Sequence, residues 1–344
     1  MRRFPQMDGL RAAAAMAVVM IHTTAGAAGW PAVCCNQLAR FSVPLFLMLS
    51  GFGHAQVYAQ SGQMYTGGVH SAWRRLKRVL PAYLVWSAAY LLLEAASGAP
   101  HAHPVRDILT GKAYMHLYYI PVLVQFIVLS GPLQRAARRF PRRTLVIAAA
   151  VSLAAQAVLC AQTMGLLRLP AFPLSPTVCF LPWTVFYVGG ALLRRQVERG
   201  MPRLSLCVWL WAASAAAVLG TAKLLPAVRA LSLRPDITAY AFTSFLLLWA
   251  LCSLPQDVPR PVRAVSRLSF GLYLSHLLVL RLWIEWTTRR PKVMYLRFGQ
   301  LWLLVFAGGL LIASVLAILP HGSLLGGAPC KNTKQTEGQN GEKT

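Results

Sequence analysis

Ten apolar runs follow one another along the chain, near residues 9–29, 42–58, 79–96, 114–133, 144–164, 177–193, 204–224, 237–254, 268–286 and 301–319. Each is about 17 to 22 residues long, the length a helix needs to cross a ~30 Å hydrocarbon layer. Spans of a β-barrel would be about 10 residues long with alternating polarity. No such alternation occurs. The pattern predicts an all-α protein, a polytopic membrane helical bundle of about ten transmembrane helices. Connections are short, without a Gly/Ser linker or internal repeat, so residues 1–320 read as one membrane domain. Residues 321–344 are polar and aperiodic, which predicts a flexible cytoplasmic tail.

Composition agrees with this pattern. The 344 residues are 56% hydrophobic and 12% charged, with a mean hydropathy of +0.51, too little polar surface for a soluble domain of this length. A net charge of +25 raises the question of nucleic acid. The placement of the charges answers it. With the N-terminus in the cytoplasm, that side receives Arg2 and Arg3, then the basic clusters within 74–78, 135–143, 194–203 and 260–267, then Lys331, Lys334 and Lys343. These are twenty-one of the 34 Lys and Arg, against eleven on the other side, with Arg11 and Arg281 inside spans. The excess follows the positive-inside rule and predicts both termini in the cytoplasm of a multi-pass membrane protein. Lipid is then the expected surrounding and nucleic acid is not a partner. Arg289, Arg290, Lys292 and Arg297 run against the rule and leave the orientation of the last two helices open.

Met1-Arg2-Arg3 ahead of an apolar run resembles a signal peptide, but a 20-residue span followed closely by another fits a retained first helix better. The seven cysteines are an odd number. Cys160, Cys179, Cys207 and Cys252 fall in predicted spans as small apolar fillers, and only Cys34 and Cys35 fall in a predicted extracytoplasmic loop.

Chemistry must come from polar groups within the spans, and the first span offers two. Arg11 and His22 are eleven residues apart, which at about 100° per residue is three turns plus about 20°, so a helix projects both from one face, ~16 Å apart along its axis. An ionisable group inside a membrane costs several kcal/mol unless it is paired or lines a hydrated cavity, so each is a candidate site residue. Other roles are open to them: Arg11 as an interface anchor that snorkels to the headgroups, His22 as a polar bridge between helices. His22 also suits a general base, since imidazole titrates near neutrality. Asp8, just ahead of the apolar run, is expected as the helix N-cap.

With these residues in view, the chain resembles the acyltransferase 3 family, integral membrane proteins that move acyl groups, often acetyl, onto cell-surface glycans and related acceptors. DGLRAAAAMAVVMIH carries an Arg-x10-His pattern similar to that family's. Segment 41–52 (FSVPLFLMLSGF) resembles its second helix, and 74–83 (RRLKRVLPAY) the basic lead-in to its third. Segment 116–126 (HLYYIPVLVQF) resembles its His-Leu-aromatic helix, with Tyr118 where Trp is more usual. Segment 268–280 (LSFGLYLSHLLVL) resembles its late Ser-aromatic-Gly-x-Tyr-x-x-His stretch. The resemblance implies Arg11 and His22 as the essential pair, Arg75 and Arg78 as contacts to an acetyl-CoA co-substrate, and a glycan or glycolipid acceptor. Guanidinium groups are suited to the phosphates of coenzyme A, although Arg74 to Arg78 also serve to set topology.

Around this pair, Ser42, Ser50 and Gly51 are open to cavity hydrogen bonding or to helix packing. His116 and His276 lie in family-like motifs and are candidate substrate-side residues together with Ser42. Arg281 and Glu285, four apart, are expected to pair with each other. Glu94, near the far end of the third span, reads as an interfacial carboxylate. His101 and His103 lack a third ligand, so no metal is expected. No nucleophile elbow, Walker loop or dinucleotide fingerprint occurs in a supporting context. The leading expectation is a multi-pass O-acyltransferase of the plasma (cell inner) membrane acting on a sugar hydroxyl of a surface polysaccharide, lipopolysaccharide or lipid-linked precursor, with His22 either deprotonating the acceptor or carrying the acyl group. A transporter of a lipid-linked glycan and a structural subunit of a polysaccharide assembly complex are the competing classes. The sequence does not fix an oligomeric state.

Overall fold

The computed structural model describes residues 4–60, 69–168, 175, 177–254, 257–290 and 296–327. Every regular element among the described residues is helical: α1 (Gln6–Thr24), α2 (Trp30–Leu38), α3 (Ser42–Gln60), α4 (Val69–Ala96), α5 (Pro104–Leu109), α6 (Tyr119–Arg139), α7 (Pro141–Thr163), α8 (Thr184–Arg199), α9 (Leu204–Leu224), α10 (Pro235–Leu251), α11 (Arg260–Thr288) and α12 (Phe298–Ile318). Each of the ten apolar runs falls on a helix, and the short α2 and α5 occupy connections. Among the described residues, seven helical stretches are long and apolar enough to cross a membrane, counting Trp30–Ala59 as one, and α10 is a shorter apolar helix. α1 and α8 are more polar, α1 through Asp8 and Arg11, α8 through Arg194, Arg195, Glu198 and Arg199.

Helix starts follow proline and charge more closely than hydropathy. Proline opens α2, α5, α7, α10 and α11, where its missing N–H costs nothing and its φ is already helical. α4 and α11 begin well before their apolar runs, so the basic residues 74–78 and 260–267 lie on helical extensions. α6 departs from expectation: residues 114–118 form turns and the helix begins only at Tyr119. Gly111, at φ +71°, starts that departure; a Cβ there would lie 2.8 Å from the Cα of Tyr118. Asp8 also departs from expectation. α1 starts at Gln6 behind Pro5, so Asp8 is in the first turn and is not the cap.

α1 is a central element, in contact with α2, α3, α10, α11 and α12. α3 lies against α8 at very close range. A Cβ on Gly51 would overlap the carbonyl oxygen of Tyr187, and one on Gly190 would overlap that of Met48. In lipid, where apolar side chains gain little by leaving their surroundings, such backbone approach is a main source of helix association. Leu45, Phe52, Phe126, Phe186 and Phe245 fill the interior. The periphery is the reverse of a soluble protein: Val146 and Ile147 on α7, Trp209 on α9, and Leu311 and Ile318 on α12 are all exposed. Polar groups are held inside, which is the arrangement lipid demands.

The chain beyond α12 is described to Gly327. A 3-10 turn, Gly322–Leu325, packs against α4 and α12, and the Trp86 indole N–H donates to the Leu325 carbonyl at 3.0 Å. Residues 328–344, with Lys331, Lys334 and Lys343, lie outside the described residues, as do Arg2, Arg3 and Lys292.

Candidate active site

α1 and α11 pack side by side and meet at two polar rungs. At the first, Arg11 Nη1 donates to Ser266 Oγ at 3.2 Å and lies 3.6 Å from Asp8 Oδ1, while Ser266 Oγ donates to the same carboxylate oxygen at 2.8 Å. At the second, the rings of His22 and His276 are 5.3 Å apart, centroid to centroid. Ten residues separate Ser266 from His276, and eleven separate Arg11 from His22. Both sequence-predicted residues therefore face α11, as a shared helix face requires. Arg11 and His22 do not touch.

A third imidazole completes the second rung. His116 lies 5.2 Å from His276 and 6.4 Å from His22 by ring centroids. It comes from the turns before α6, whose irregular backbone is tolerated at depth because protein buries it. The Tyr273 hydroxyl donates to the His116 carbonyl, and the Tyr90 hydroxyl donates to that of Leu274 at 2.8 Å. Both bonds tie the segment's surroundings to α11.

The bonding of His276 fixes its tautomer. Nδ1 lies 2.8 Å from the Tyr273 carbonyl oxygen and 3.1 Å from that of Leu272. Carbonyls only accept, so Nδ1 carries the proton and Nε2 presents a lone pair. That Nε2 is buried without a partner, as are both ring nitrogens of His116. Each unmade bond of a buried polar group costs about 1–3 kcal/mol, a cost that native proteins tolerate at functional sites. Among the described residues no group of three or more His, Cys, Asp or Glu is arranged to hold a metal ion.

A cavity of about 270 Å³ opens against this cluster, with His22, Arg40, His116, Tyr118, Tyr119 and Tyr273 among its walls. His22 is half-buried because its ring faces this space. Tyr119, the first residue of α6, is one of the three tyrosines in these walls. Arg40 is buried on the far wall. It donates through Nη1 to the Ala230 carbonyl at 2.9 Å and Ser232 Oγ at 2.8 Å, and through Nη2 to Asn36 Oδ1 at 2.7 Å.

The remaining candidates fall elsewhere. Ser42 is fully buried with its hydroxyl unpartnered, and it does not line the cavity. Ser50 donates to the carbonyl of Phe46 at 2.9 Å within its own helix, and Gly51 serves the α3–α8 contact. Arg75 is half-buried, while Arg74, Lys77 and Arg78 are exposed. A second cavity, of about 360 Å³, opens between the C-terminal ends of α3, α6 and α8. Its walls include Tyr58, Gln134, Arg138, Arg194, Arg195 and Arg199. Arg281 pairs with Glu285 at 2.6 Å, and also with Glu94 at 3.2 Å, which gives that carboxylate a structural role. His101 pairs with Asp107 at 2.7 Å.

Sequence reasoning passed over Arg40, Ser266, Tyr119 and Tyr273. Ser266 was within reach of the spacing argument, lying as far from His276 on α11 as Arg11 lies from His22, to within one residue. Arg40 reads from the sequence as a loop charge, and nothing in its local sequence shows that the chain around 229–234 closes over it.

The family model described as an acyltransferase domain, that of the acyltransferase 3 proteins, matches residues 4–321. No curated protein and no solved structure matches the chain.

Proposed function

This chain belongs to the acyltransferase 3 family and is a membrane acyltransferase; from that premise we propose that it moves acetyl from acetyl-CoA to a sugar hydroxyl of a surface polysaccharide, a lipopolysaccharide or a lipid-linked glycan precursor. The observation that carries this reading is His22 in the wall of a cavity, clustered with His116 and His276, whose buried ring nitrogens include unpartnered ones, on the α1 face that also carries Arg11. His22 takes the proton of the acceptor hydroxyl. The hydroxyl oxygen forms a bond to the thioester carbonyl carbon, the carbon–sulfur bond breaks, and the departing thiolate of coenzyme A receives the proton. His276 holds the environment of His22 in one tautomeric state. Arg11, fixed by Asp8 and Ser266, orients the donor on its way to the cavity.

The end of the bundle where α1 begins is the cytoplasmic, donor side in this account. Arg75 and Arg78 on α4, together with the arginines of the second cavity, hold the donor phosphates by charge-assisted bonds. The acceptor arrives from the other side of the cell inner membrane, near Arg40 and the 229–234 segment. The test is transfer in proteoliposomes given labelled acetyl-CoA and lipid-linked glycan. Label in an alkali-labile glycan ester supports the proposal. Glycan movement across the vesicle without acyl-CoA and without ester formation contradicts it and points to a transporter.

A further inference from the structure

Two guanidinium groups lie buried near one another on the acceptor side, and the protein treats them differently. Arg234 is 1% exposed and receives a full countercharge: its Nε and Nη2 bind the two oxygens of Asp236 at 3.1 and 2.9 Å. Arg40 is 6% exposed and receives none. Its acceptors are a backbone carbonyl, a hydroxyl and an amide oxygen, and its Nε is buried without a partner. Among the described residues no carboxylate forms an ion pair with Arg40, and the nearby Arg234 acts on it as a like charge. Burying a cation against neutral dipoles alone is costly, and proteins ordinarily pair such a charge.

The position of Arg40 says where the missing charge belongs. It lines the same cavity as His22, and among the described residues neither Asp nor Glu contributes to those walls. Three of its five N–H groups are spent on the neutral acceptors named above. The two left are on Nε and Nη2, the same pair of nitrogens through which Arg234 holds Asp236. Such an edge matches a group with two adjacent oxygens. We infer that the cavity takes an anionic acceptor, a glycan unit bearing a carboxylate or phosphate that Arg40 neutralises while a hydroxyl of the same unit faces His22. The inference rests on the acyltransferase reading above and adds the charge of the acceptor to it.

The test uses the full chain purified in lipid nanodiscs, at fixed low chloride and with coenzyme A saturating so that the donor-side arginines are occupied. Thermal unfolding is followed with glucuronate, glucose 6-phosphate or neutral glucose at matched ionic strength. The expected result is a rise in Tm with glucuronate or glucose 6-phosphate and none with glucose, and the more effective of the two anions identifies the group. Arg40→Gln loses that rise, and Arg40→Lys, which keeps the charge without the two-pronged edge, retains part of it and controls for misfolding. Equal effects of glucose and the anions overturn the inference. So does an unshifted wild type, an effect matched by chloride alone, or an Arg40→Gln response equal to wild type. Acetyl-CoA turnover is measured on separate aliquots of the same preparations, with lipid-linked glycan and without added coenzyme A. Turnover without the anion response defeats this inference alone, whereas an anion response without turnover defeats the reading of the function.

Discussion

His22 on α1 and His276 on α11 face each other with ring centroids 5.3 Å apart, and the same two helices join Arg11 to Ser266 at 3.2 Å nearer their starts. A helix pair linked at two levels fixes the rotation of α1 as well as its depth. The candidate base and the candidate donor-orienting arginine are thereby held on one axis.

His276 is predicted to act through His22. Its Nδ1 proton is committed to the backbone of its own helix, which leaves Nε2 as an acceptor toward the cluster. His276→Ala should lower kcat by about ten-fold or more, short of the ~10²–10⁴ contribution of a general base, while KM for acetyl-CoA stays near wild type. Steady-state kinetics with labelled donor check the split. A merely packing role would instead lower Tm and leave kcat unchanged in the folded fraction.

At the first rung, Ser266→Ala removes the hydroxyl that bridges Arg11 and Asp8. The expected cost is about 1 kcal/mol of stability and a moderate rise in KM for the donor as Arg11 loses its fixed geometry. Arg11→Lys keeps the charge but not the planar fork and should be much less active than wild type. Thermal unfolding and donor titration separate the two effects.

The α3–α8 contact makes a stability prediction independent of the chemistry. Gly51→Val and Gly190→Val place side-chain carbon against the carbonyls of Tyr187 and Met48, neither of which can move without its helix. Each should destabilise by at least about 1–3 kcal/mol. Gly220→Ala, where an added Cβ meets nothing within 4 Å, should be neutral or slightly stabilising. Detergent-solubilised protein in a thermal ramp gives the comparison.

On the donor side, Arg75→Gln and Arg195→Gln should each raise KM for acetyl-CoA with little change in kcat, and the wild-type KM should rise with salt as the phosphate contacts are screened. If both variants bind donor as wild type does, the donor phosphates are held elsewhere.

Much of this was legible in the residues. The ten apolar runs marked the helices because each has the length of a membrane crossing, and the Arg11–His22 spacing placed both on a shared face because a helix has a fixed pitch. The starts of α6 and α1 were not legible, since Gly111 and Pro5 override the hydropathy on either side of them. His116 and His276 were marked by motif, but their approach to His22 depends on the packing of the 113–118 turns against α11. Arg40 was invisible as a site residue because its burial comes from the 229–234 segment, some 190 residues away in the chain. Charge alone gave it the wrong emphasis, as one more basic residue in a loop.

The most direct test of the account is transfer of labelled acetyl from acetyl-CoA to glycan by the purified chain in nanodiscs, wild type beside His22→Ala, with folding of both verified by thermal unfolding. The account predicts ester-linked label on the glycan with the wild type and a loss of at least about 10²-fold with folded His22→Ala. Transfer by the folded variant at the wild-type rate would contradict it.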